Sequence, residues 1–301
     1  MKHITTIRGN KLRNAVFAVI GLVAMLVSSL TLIALLASLA IDGSSRVSWH
    51  FFFSFPSRFP AEAGILSAWV GTSLVMGVTA CTAIPLGIAA AVYLEEYGSK
   101  NWMTDLIEIN IANLAGVPSI VYGLMALGLF VYEFHLGSSI LTAGLTLALL
   151  ILPMVIMTTR EAIRTVPQSI REAAFALGTS KWQTVRDHVL PYSLGRILTG
   201  LIIALSRAIG ESAPLMTIGA LSFVAFLPHP PLQQEFPYLS FRWLLDPFAA
   251  LPIQIFNWIS RPQEEFHVNA AAAGLVLLAM TLAMNALAII IRARFRKRLQ
   301  W

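Results

Sequence analysis

The chain has 301 residues, of which 57% are hydrophobic and 12% charged, with a formal net charge of +6. Average soluble domains carry about 25% charged residues, so this balance excludes an ordinary globular enzyme and a charge-rich disordered chain, and it marks an integral membrane protein. A single cysteine, Cys81, excludes a disulfide framework and reads as a small residue packed within a span.

About 20 apolar helical residues cross a hydrocarbon core, and six runs are long enough: residues 15–41, 65–94, 106–132, 138–159, 197–227 and 268–291. The longer ones are expected to tilt. The first run follows a basic segment and ends on Leu39-Ala40, yet it exceeds the roughly 7–15 apolar residues of a signal peptide. It is therefore expected to stay as an uncleaved anchor.

In the third run, Pro118 removes a helical hydrogen bond and Gly116 permits close packing, which predicts a kink. A purely structural kink and a gate both remain open. Glu108, Asn110 and Asn113 make one half of this run polar, so that it faces protein or water. After the fourth run, residues 161–196 are polar and basic and contain "REAAFALGTSKWQTVRDHVLP", a candidate docking loop.

The fifth run contains "ALSRAIGESAP", with Arg207 and Glu211 deep in apolar sequence. A charge inside a bilayer costs about 2.5 kcal/mol or more, so such groups line a pathway or pair with each other. On a continuous helix the two are one i,i+4 step apart, about 40° around and about 6 Å along, so their side chains can touch. The segment 228–267 is rich in proline and aromatics and is predicted to be a folded external cap, with Trp243 and Trp258 near the interface.

Sixteen of the 21 Lys and Arg residues fall on the side of the two termini and the 161–196 loop, and four on the other. The positive-inside rule then places both termini in the cytoplasm. The basic pI follows from this topology and implies no nucleic-acid partner. There is no G-x-x-x-x-G-K-[ST] loop to hold ATP. The six histidines are scattered, without a metal cluster, nucleophile or acid pair, so no catalytic residue is assigned and the chain is expected to perform no bond chemistry. A proton-coupled secondary transporter, in which Arg207 and Glu211 would form a relay, is disfavoured because no internal repeat is apparent.

Glu172-Ala173-Ala174, then Gly178, then Leu190-Pro191, resemble the EAA loop of ATP-binding cassette (ABC) importer permeases. Small alanines let a helix approach a partner closely, glycine supplies a left-handed terminator, and proline blocks continuation. His188 departs from the pattern, standing where an aliphatic residue is usual. "LAGVPSIVYGL" (114–124), "LSRAIGESAPL" (205–215) and "ALPIQIFNWISRPQEEF" (250–266) are similar to the A-type permease subunits of phosphate-specific importers (PstA), within the binding-protein-dependent transport permease family.

That resemblance, which runs from about the second span to the C-terminus, implies an all-α, six-span type I importer permease with a cytoplasmic coupling helix. It implies a bacterial inner-membrane complex: a heterodimer with a C-type (PstC-like) permease, two copies of a PstB-like ATPase that bind ATP and Mg, and a periplasmic PstS-like phosphate-binding protein. This chain would bind no cofactor or metal itself. Glu172, Ala173, Ala174, Gly178, Leu190 and Pro191 would couple to the ATPase, Arg207 and Glu211 would line the substrate path, and Gly116 and Pro118 would kink or gate it. Inorganic phosphate is the implied substrate; another oxyanion and the sister C-type subunit are the alternatives.

Overall fold

The computed structural model describes residues 2–99, 101–220, 223–230, 238 and 240–298, and among these the regular secondary structure is all helical, apart from one isolated bridge, Ser139 to Pro247. In chain order come α1 (Lys2–Ser44), the short α2 (Trp49–Phe53) and α3 (Leu66–Val92), which continues through a π turn to Tyr97. Next are α4 (Trp102–Ala115), α5 (Ser119–Ala126, with a π turn to Glu133), α6 (Ile140–Arg164) and α7 (Gln168–Ala176). The short α8 (Lys181–Thr184) runs through a π turn into α9 (Leu190–Ile209), followed by α10 (Ala213–Thr217), α11 (Leu251–Ile259) and α12 (Glu264–Arg298). Part of the proline-rich cap, residues 231–237 and 239, lies outside the described residues, as do Lys100 and the side chains of Lys2, Arg8, Arg296, Lys297 and Arg298 used above for orientation.

Among the described residues, five helices are long and apolar enough to cross a bilayer, at residues 13–44, 66–97, 140–164, 181–209 and 264–294, and α4 with α5 makes a sixth candidate bent by 102°. The bundle centres on α3 against α6, where small residues bring the backbones together. Gly87 sits under Val155 and Gly144 under Val78. Between them, buried Thr79 donates to the carbonyl oxygens of Val75 (2.8 Å) and Gly144 (3.2 Å). Val75, Leu147, Ile151, Ala204 and Leu215 join α3, α6, α9 and α10 in one core. By contrast, α1 lies outside the bundle with none of its apolar window buried, and its main partner is α12, where Gly43 rests on the backbone of Ala271 and Ala272.

Several expectations change here. The run 197–227 is not one helix: α9 stops at Ile209 with Gly210 as its C-cap. In a continued helix the Pro214 ring would strike the carbonyl of Gly210, and no amide would be left to bond it. Likewise the third run is more than kinked, since α4 is capped by Gly116 and α5 starts afresh after Pro118. Trp258 is not interfacial; it is 0% exposed, packed with Phe51 and Phe266 in a second core. This happens because the cap folds inward, its α11 fixed by a bond from the Leu251 amide to Thr72 Oγ1 of α3 (2.9 Å). Cys81 is exposed rather than packed.

The two broken helices meet at Gly123 of α5, where a Cβ would collide with Thr217 Oγ1 and lie 2.7 Å from Pro214 Cα of α10. Gly77 of α3 has nothing within 4 Å of such a position. Gly123→Ala is expected to lower stability by about 1–3 kcal/mol through overpacking, whereas Gly77→Ala leaves it level or higher because alanine favours helix. Thermal unfolding of the two purified variants measures the contrast.

Candidate functional site

Irregular backbone at membrane depth is tolerated where protein buries it or where it lines a cavity. Both breaks obey this rule. On one side of the α4–α5 break, the hydroxyl of buried Tyr122 donates to the Leu114 carbonyl at 2.9 Å, pinning the two half-helices at their bend. On the other, α5 rides on α10 at Gly123, and α10 follows directly from Glu211. The structure thus joins α5, which follows Gly116 and Pro118, to α10, which follows Arg207 and Glu211, through Gly123.

Arg207 occupies the last turn of α9, where a cation suits the negative end of the helix dipole. Glu211 lies past the helix end, with its amide bonded to the Ala208 carbonyl (3.2 Å). The pair is therefore not intrahelical, although the side chains still meet: Arg207 Nε is 3.5 Å from Glu211 Oε1. At that length the contact is loose, and it is lopsided, with the Arg207 side chain 45% exposed and Glu211 19%. A guanidinium held by one edge keeps donors to spare for an anion. Its neighbour Ser206 donates instead to Asn285 Oδ1 of α12 (2.8 Å), which fixes the helix face Arg207 shows.

About 25 Å along α9 from this point, the predicted coupling residues form a separate site. α7 starts after Pro167 and ends in a Schellman motif: the Gly178 amide bonds Phe175 O (2.9 Å) and the Thr179 amide bonds Ala174 O (3.3 Å). Gly178 has φ +80° and open space around it. Ala174 is buried, whereas Glu172, Ala173, Phe175 and Leu177 are exposed, Leu177 to 84%. Ser180 and Gln183 then form a capping box that starts α8. Leu190-Pro191 does not end a helix as expected. The helix runs on from 181 to 209, and the π turn at Val185–Val189 absorbs the register change at Pro191, which has no amide to give. His188 is exposed, and Val185 and Val189 fill the adjoining core with Val92, Ile163 and Val166.

Between the two sites lies a charged cluster that sequence reasoning missed. Arg160 of α6, 6% exposed, reaches Glu108 of α4 (2.9 Å) and Glu95 at the end of α3 (3.4 Å). Arg164, one turn on, contacts the same two carboxylates at 2.9 Å to Glu95 and 3.5 Å to Glu108. Next door, Arg171 of α7 holds Glu96 at 2.7 Å and also donates to the carbonyls of Val166 (2.7 Å) and Ile163 (3.2 Å). The i,i+4 spacing of Arg160 and Arg164 and the polar half-run around Glu108 were the signals available, but the partners stand more than 50 residues apart. Among the described residues, no three His, Cys, Asp or Glu side chains converge to hold a metal.

The chain matches the family described as "Binding-protein-dependent transport system inner membrane component" over residues 83–301. It is 34% identical to the phosphate transport system permease protein PstA of Yersinia pestis, covering 94% of this chain and 90% of that one. The probable ABC transporter permease protein YqgI of Bacillus subtilis is 32% identical, over 85% of this chain and 87% of its own. PstA 1 of Mycobacterium tuberculosis is also 32% identical, over 81% and 74% respectively. In fold, the chain is similar to one from the inward-facing MetNI methionine ABC transporter, with a TM-score of 0.54 at 14% identity, covering 79% of this chain and 96% of that one. A bundle of apolar helices with two facing breaks, carried on an all-α scaffold shared with an ABC importer, is thus matched by sequence as well, and the chain belongs to the binding-protein-dependent transport system inner membrane components, as a multi-pass permease.

Proposed function

We propose that this chain is the A-type permease subunit of an ATP-driven importer that moves inorganic phosphate across the cytoplasmic membrane by alternating access. The observation that carries this reading is Arg207, a half-exposed guanidinium at the junction of two broken helices, in a chain whose relatives include several named phosphate transport permeases. Phosphate near neutral pH carries more than one negative charge, and a planar donor fork suits bidentate contact with it. Arg207 lowers the barrier to the anion, and Glu211 holds the guanidinium while keeping the site from binding phosphate too tightly to release it.

The rest of the machine follows from the family. The chain forms one transmembrane domain, with 161–196 as the cytoplasmic coupling loop, 228–267 as the external loop, and both termini inside. Glu172, Ala173, Ala174 and Gly178 present α7 to a separate ATPase dimer, which binds ATP and Mg; Leu190 and Pro191 seat that loop on α9; and Gly116 and Pro118 let α4 and α5 gate the path. A C-type permease completes the pathway, and a periplasmic binding protein delivers phosphate. Uptake of labelled phosphate by the reconstituted complex, with sulfate and molybdate as competitors, tests the substrate: competition by either at equal concentration reassigns it to a broader oxyanion class.

Two variants test the residue roles. Gly178→Val places a β-branched residue in the left-handed region, which disfavours L-residues by about 1–2 kcal/mol and β-branched ones more, so uptake and ATPase association are expected to fall with insertion intact. Gly178→Asn, which tolerates that backbone, is expected to be milder. At the other site, a merely structural ion pair tolerates joint neutralisation, since no charge is stranded. Arg207→Gln with Glu211→Gln is expected to assemble but transport little phosphate, and Arg207→Lys to be badly impaired too; normal uptake by the double variant removes Arg207 from the path.

A further inference from the structure

We infer that Glu108 is a positioning residue of transport: it ties the α4–α5 bent helix to the end of α6 that carries the coupling helix, so that motion of α7 is delivered to Arg207. This rests on the reading of α7 as the ATPase-docking element. The route is continuous in the structure. α7 is held by Arg171 to Glu96, and the adjacent residue, Glu95, is gripped by Arg160 and Arg164 on the last turns of α6. The same two guanidiniums grip Glu108 on α4. Glu108 is therefore the point at which the bent helix joins the cluster that anchors α7.

From Glu108 onward the bent helix acts as a lever. Tyr122 bonds back across the break to Leu114 at 2.9 Å, so α4 and α5 turn together at their 102° bend. At the far end Gly123 lies against Pro214 and Thr217 with no room for a methyl group, so α5 cannot move without α10, and α10 begins two residues after Glu211. The chemistry at Glu108 suits a joint that shifts. Arg160 is almost wholly buried, while Arg164 is half exposed, so Glu108 can trade one arginine for the other without stranding a charge in the membrane. An apolar residue at position 108 would pack as well but could not be handed between two cations.

The test uses the whole complex in nanodiscs, with Cys81→Ala and Asn113→Cys placing one thiol on the exposed last turn of α4. Labelling of that thiol by a charged maleimide is compared between the nucleotide-free complex and the complex trapped with ATP and vanadate. We expect at least about a fivefold change in rate, falling below about twofold in Glu108→Gln, with ATP hydrolysis retained and uptake reduced about tenfold. Arg164→Gln, which leaves Arg160 holding both carboxylates but gives Glu108 no second cation to pass to, is expected to lower the response below about twofold as well, and this variant decides the matter should Glu108→Gln fail to assemble. A Glu108→Gln or an Arg164→Gln complex that responds like the parent overturns the proposal. If the parent complex itself does not respond to nucleotide, the coupling reading falls with it.

Discussion

Every peptide group that leaves a helix inside a bilayer must find a partner in the protein, because lipid offers none. This chain leaves a helix twice within apolar sequence, at Gly116–Pro118 and at Gly210–Ser212. The helices that follow the two interruptions, α5 and α10, are packed against each other, and Gly123 is the contact that allows it. At the breaks themselves, carbonyls are bonded locally: Asn113 by the Gly116 amide, Leu114 by the Val117 amide and the Tyr122 hydroxyl, and Ala208 by the Glu211 amide. Arg207 depends on the same arrangement. It is set at the edge of a protein-lined discontinuity, where an ionised side chain is sustained that would otherwise be expelled.

The other end of the bundle is organised by charge rather than by size. Three arginines from α6 and α7 pair with three glutamates from the end of α3 and the middle of α4. Removing one partner of such a set costs far more than the set contributes as a whole. Its value lies in geometry: it fixes where α7 stands relative to the spans. Beyond it, Phe175 and Leu177 project from a helix whose end is locked by Gly178, giving an apolar edge of defined shape.

Much of this was written in the amino-acid order. Hydropathy located the apolar segments and the all-α class, and the glycine at 178 announced a helix end because left-handed backbone is scarce among other residues. Hydropathy failed where it had to, at 197–227: a run can be apolar throughout and still be unable to continue as a helix past Gly210 and Pro214. The placement of Trp258 failed for a related reason, since an aromatic residue in a loop looks interfacial until the loop is known to fold inward onto Thr72. Glu108 was visible as an anomaly, but its meaning lay in Arg160 and Arg164, and a pairing across 50 residues has no local trace.

The isolation of α1 bears on how the protein is made. Its chief contact is with α12, through Gly43 on the backbone of Ala271 and Ala272, so α1 meets its partner only after the intervening helices have been synthesised. Until then it sits in the membrane as an independently stable segment, which its length and hydropathy permit. The order along the chain and the order of packing therefore differ: α3 meets α6 within one stretch of sequence, whereas α1 is paired only through a helix far downstream of it.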